Sequence, residues 1–274
     1  MNYAQDYSTL LKLFVRLVET QAGRSIGKNE EWLNDAQVLS VKLFRHLASM
    51  QILAAGAQLR GEAGTAAFID HASIKVICRA ALETYLVFFY VYGQDDESLC
   101  KFRHTTWRLA GLCDRQKFHV TTQEHQDVLS EESSLISQLQ AEVQASPWMN
   151  KFTPKQQREI LKGNWRPAAD WNDLGADAGF HPKYFKNVYS YLCSYSHASY
   201  LSALQVGQAK SRDTQEQLSQ TILGIGVVLM AHFAFSYSGL FGAAKAALHA
   251  DQESARIAEK WCIGHSDMAT HYGS

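Results

Sequence analysis

The chain has 274 residues, a formal net charge of −1 and 46% hydrophobic residues. That length supports one large domain or two modest ones around a buried core. Charged residues make up only 19%, with the signs nearly balanced, which disfavours a nucleic-acid binder, whose Lys and Arg gather on one face.

The only prolines, at 147, 154, 167 and 182, fall in one central stretch, so the flanks are free to form long helices. The expected fold is an all-α multi-helix bundle. Tyr7, Leu10, Phe14, Leu17 and Val18 recur at helical spacing, with Gly23 as a stop. A second helix is expected over 30–57, where Trp32, Ala36, Leu39, Leu43, Leu47, Met50, Ala54 and Ala57 make one apolar face. A turn at 60–64 leads into a third helix over 65–92, almost wholly apolar from Ala80 onward. Asp95, Asp96 and Glu97 supply the acidic start of a fourth.

Residues 121–124 read as a capping box for a mostly polar helix over 122–145, expected on the surface. Thr153 and Pro154 open a short helix that Gly163 closes, and 164–182 reads as an irregular connection. A tyrosine-dense helix is expected over 182–205, an apolar one over 214–249 and a short one over 251–262. The organisation expected is a single helical domain over 1–262, with a polar excursion near 120–163 and a loose tail over 263–274.

Between Glu216 and Lys245 there is no Asp, Glu, Lys or Arg. Its solid apolar run, 222–235, is short of the roughly 20 residues that span a bilayer, so a buried central helix is expected and no membrane. Five cysteines (78, 100, 113, 193, 262) include no Cys-x-x-Cys pair, which suits free thiols in a reducing cytoplasm. Residues 1–6 are polar and carry no secretory pattern.

Gly-rich phosphate loops, a nucleophile elbow and His-Glu-x-x-His are all missing from the sequence, so no cofactor is indicated. Cys262, His265, Asp267 and His271 have ligand-type side chains but no matching second pair, and no metal site is assigned. The third helix is more informative. His71, Lys75, Arg79 and Glu83 recur every four residues and share one face. A solvated stripe with an ordinary i,i+4 pair is one reading. However, residues 85–92 beyond Glu83 are uninterruptedly apolar or aromatic, so Arg79 and Glu83 enter the core, where charges need partners. A second polar segment spans 189–199, where Tyr191 pairs in spacing with Tyr195 and Cys193 with His197. For His197 the readings are general base, hydrogen-bond anchor or core histidine.

Arg79-Ala-Ala-Leu-Glu83 resembles the Arg-x-x-Leu-Glu signature of a bacterial family of uncharacterised helical proteins, a domain of unknown function. Residues 171–179, Tyr184 and Tyr191-Leu-Cys-Ser-Tyr-Ser-His197 resemble that family's second block, a short helix followed by Tyr-x-Leu-(Ser or Cys)-x-x-x-His-Pro. The similarity covers about 35–205. It implies a helical fold with a shared Arg/Glu/Tyr/His cluster and brings no established activity. Ala198 replaces the usual proline, so the helix is expected to continue past His197. An HEPN-like bundle is a related broad architecture. The nearest approach to that class's Arg…His motif, Arg115-Gln-Lys-Phe-His119, has one intervening residue too few.

Three functions follow as expectations. The first is a helical binding or interaction protein, in bacterial stress or phage defence, with Arg79, Tyr191 and Cys193 as binding residues and a homo-oligomer or protein as partner. The second is a metal-independent hydrolase or ribonuclease, with Glu83 and His197 as acid and base and Arg79 holding an anion. The third is membrane association through 219–244. Arg79, Glu83, Tyr191 and His197 are expected to converge across two packed helices.

Overall fold

Helix dominates the chain: the computed structural model is 75% helical and describes residues 3–62 and 64–272. The expectations for the first two residues, for turn residue Ala63 and for the last two of the tail lie outside the described residues. In chain order the elements are α1 (Tyr3–Glu19), α2 (Leu33–Ala54), β1 (Ala57–Gly61), β2 (Gly64–Phe68), α3 (His71–Tyr92), α4 (Glu97–Arg115), α5 (Gln123–Ala145), α6 (Pro154–Leu161) and α7 (Trp171–Asp177). Then follow α8 (Pro182–Ser196), α9 (Tyr200–Gln208), α10 (Arg212–Leu240), α11 (Gly242–Ala250), α12 (Gln252–Trp261) and α13 (His265–Tyr272). The chain forms two compact units, Met1–Phe88 with Gly175–Ser274, and Phe89–Leu174.

The first unit is built on α10. Its apolar run from Gly226 to Ala234 is buried without a break, because α1, α2, α11 and α12 all pack against it. Phe14 of α1 stacks on Phe233 with centroids 4.0 Å apart. A Cβ at Gly226 would lie 2.7 Å from the Tyr7 ring, so glycine is what permits this close approach. Tyr7 in turn donates to the Leu47 carbonyl at 2.8 Å, fixing α2 to the pair. By length and composition α10 could cross a membrane, but 67% of its apolar window is buried inside the protein, as a core helix requires. The helix stops at Leu240 rather than near 249, since Phe241 takes an extended conformation before α11 begins.

Three further expectations are corrected in this unit. Residues 57–68 form an antiparallel hairpin, with Ala57 opposite Phe68 and Gly61 opposite Gly64. Both strands are largely exposed, so no alternation of apolar residues announces them. Helix α3 therefore starts at His71, where Asp70 accepts from the Ser73 amide at 2.9 Å as a cap. The tyrosine-rich helix does not continue past His197: Ala198 adopts φ +49°, and Ser199 caps a separate α9. The expected loose tail contains α13, whose residues His265 and Tyr272 stack against His181.

The second unit has its own apolar centre of Phe102, Leu109, Leu139, Val143, Met149 and Ile160. Helix α4 opens on Asp96, which accepts from the Ser98 and Leu99 amides. The cap of α5 is Thr122, bonded to the His125 amide, one residue beyond the expected start. A reciprocal capping box does occur at Thr153 and Gln156. Helix α5 is polar outside, yet its Leu139 and Val143 are buried in that centre. The stretch 120–163 lies within this second unit.

Candidate functional site

The four-residue stripe of α3 meets α8 in one polar seam within the first unit, and α8 in turn bonds to α9. At its lower end Arg79 donates through Nε to Glu83 Oε1 at 3.0 Å, and Tyr189 donates to the same oxygen at 2.8 Å. The ion-paired side chains are 22% and 27% exposed, so the pair is half-sheltered rather than solvated. Tyr189 is held by stacking on Phe185 at 5.7 Å. Phe185 sits in turn against Gly175, where a Cβ would come within 2.6 Å of the ring. Burial, reinforced by the neighbouring Glu83 carboxylate, pushes the Tyr189 hydroxyl upward, so it stays a donor at neutral pH.

Lys75, one turn up the stripe, has no solvent exposure. Its Nζ lies 2.9 Å from His71 Nδ1, 4.3 Å from the centroid of the Tyr195 ring and 5.8 Å from that of Tyr191. Among the described residues no carboxylate forms an ion pair with it. Burial pushes the Lys75 ammonium down to about 8. The His71 imidazole is also held below its usual value, first by burial and then by Lys75, with Asp70 acting weakly the other way. A neutral His71 accepting at Nδ1 carries its proton on Nε2.

Above the lysine two tyrosine hydroxyls converge. Tyr191 donates to Gln205 Oε1 at 2.9 Å and Tyr195 donates to the same atom. The two rings meet edge-on with centroids 5.5 Å apart. One carbonyl oxygen on α9 thus receives both hydroxyls of α8. Two open concavities on this unit lie elsewhere, one lined by Lys12, Arg16 and Asp251, the other by Arg24, Asn34 and Phe241.

The structure brings Arg79 and Glu83 together with a tyrosine of α8, but the tyrosine is 189. Tyr191 instead faces Lys75 and Gln205. Cys193 is a half-buried free thiol one turn beyond Tyr189 on α8. His197 is the exposed C-cap of α8, and no described residue hydrogen-bonds its ring. Sequence reasoning placed Lys75 on the stripe and paired Tyr195 with Tyr191 without giving either a role, and it passed over Gln205. The stripe offered one signal for Lys75, since its neighbours Ile74 and Cys78 mark a buried face. Nothing marked Gln205, whose part depends on the chain reversing at Ala198.

A family model described as a family of unknown function (DUF5677) matches residues 38–215, well over half of the chain, and the chain belongs to that family. The matched range contains every residue of the seam. Neither the curated proteins nor the solved structures gave a match.

Proposed function

We propose that this member of the DUF5677 family is a helical protein of the bacterial cytoplasm that binds a small anionic ligand on the α3–α8 seam. The observation that carries the reading is Lys75, a fully buried ammonium that a neutral imidazole and two tyrosine rings surround and no described carboxylate balances. An unbalanced buried cation is costly. A ligand phosphate or carboxylate would supply the missing charge. The tyrosine hydroxyls and the next-turn Arg79 offer further donors, and charge-assisted bonds of this kind are the strong ones. Five free cysteines support a reducing compartment; the bacterial assignment rests on the resemblance of the Arg-x-x-Leu-Glu block.

Binding is preferred to acid–base catalysis by Glu83 and His197. Glu83 Oε1 already accepts from Arg79 and Tyr189, and His197 makes no hydrogen bond through its ring to any described residue. Calorimetric titration with inorganic phosphate and with acetate tests the reading, using wild type and Lys75→Met. Saturable binding to wild type and its loss in the folded variant are expected. Equal binding by both proteins overturns the assignment of Lys75.

A further inference from the structure

We infer that Gln205 is a built-in stand-in for the ligand: its Oε1 occupies the position of the ligand's oxygen, and a small oxyanion binds by displacing it and lifting α9. The inference rests on the proposed anion site and adds how that site is opened and what competes for it.

Three observations converge on it. First, Tyr191 and Tyr195 aim their hydroxyls at one oxygen. Two donors on a single acceptor, carried by the same two tyrosines whose rings face the Lys75 ammonium, are an arrangement that carboxylate or phosphate oxygens take. Gln205 fills it with a neutral carbonyl, which satisfies the hydroxyls and leaves Lys75 without a counter-charge. Second, Lys75 has no exposure, so no ligand can reach it unless an element moves. Third, α9 is built to be that element. It is nine residues long and carries no charged side chain. Its outer side chains Tyr200 (82%), Leu201 (44%) and Leu204 (40%) are exposed, so it contributes little to the core. It is joined to α8 through Ala198 at φ +49°, a conformation that alanine adopts under strain. Strain in the closed form is relieved when the hinge moves. The closed form is therefore held by the Gln205 bonds and opposed by its own hinge, and an oxyanion offering a full charge to Lys75 outcompetes the amide.

Gln205→Ala removes the competitor and keeps every donor. Losing two hydrogen bonds to the closed form implies phosphate affinity about tenfold tighter than wild type. Gln205→Glu supplies the anion from the chain itself, and calorimetry should then detect no phosphate binding. Hydrogen exchange on wild type gives a second readout that needs no variant: added phosphate should speed exchange over Tyr200–Gln208 and slow it over the α3 and α8 amides. Wild-type affinity in Gln205→Ala, or unchanged exchange over α9 while phosphate binds, overturns the displacement and leaves the anion site standing. Failure of phosphate and acetate to bind either wild type or Gln205→Ala overturns the anion site and this inference with it.

Discussion

At the scale of single residues, Lys75 governs how stability responds to pH. Its folded proton affinity lies near 8 against 10.5 unfolded, so between those values the unfolded chain holds more protons. The stability contributed by Lys75 should therefore rise as pH increases from about 8. The gain is opposed from about 9 by thiols that burial pushes upward, Cys78, Cys100, Cys113 and Cys262, and from about 10 by tyrosines such as Tyr191 and Tyr195. The groups facing the lysine, His71 and the two tyrosines, stay neutral across the window. Denaturant titrations at pH 8 and 9.5 should show wild type gaining about 1 kcal/mol or more relative to Lys75→Met, since each tenfold difference in proton affinity between the two states is worth about 1.4 kcal/mol. Lys75→Met should lose that dependence and be more stable than wild type at pH 7; a variant that keeps the slope contradicts the assignment. Glu83→Gln weakens an ion pair and a tyrosine bond in a half-sheltered place, and about 1–2 kcal/mol of lost stability is expected by chemical denaturation. The charges of Arg79 and Glu83 could be read as inward-facing from the apolar run after them. Which tyrosine meets them could not, because 189, 191 and 195 all belong to one helix whose rotation only packing decides.

Among the elements, the α8–α9 reversal is the most informative. Ala198 has φ +49°, whereas proline is locked near −65°. Ala198→Pro should therefore distort the reversal, detach Gln205 from the tyrosines and lower the melting temperature by several degrees; an unchanged melting curve would show that the left-handed conformation is not required. The break was not legible in sequence, because alanine favours helix and the signals on either side, Ser196 and Ser199, are weak ones. The hairpin was hidden for a related reason: strands with two exposed faces carry no alternation. Helix ends that rest on a side-chain cap, such as Asp96 and Thr153, were legible to within a residue. The turn into α11 at Phe241 was not, because nothing in an apolar run marks where packing bends it.

Over the whole molecule, the all-helical architecture follows from long proline-free runs with apolar stripes, and α10 shows why burial has to be argued rather than counted. Its composition suits a membrane as well as a core, and what decides is the aromatic packing of Phe14, Phe88 and Tyr237 around Phe233. The same core fixes one side of α3, through Tyr85 to Ser236 and Phe88 to Phe233. That leaves the opposite stripe, Lys75 to Glu83, facing α8. The packed back of α3 thus turns Lys75 toward the tyrosines of α8, an arrangement of tertiary origin that no local pattern encodes. Titration of the Lys75 side chain by NMR, with and without inorganic phosphate, tests whether this buried cation takes an anion. A midpoint near 8 in the free protein and an upward shift on phosphate binding are expected. A midpoint at the ordinary value of lysine, unmoved by phosphate, would contradict it.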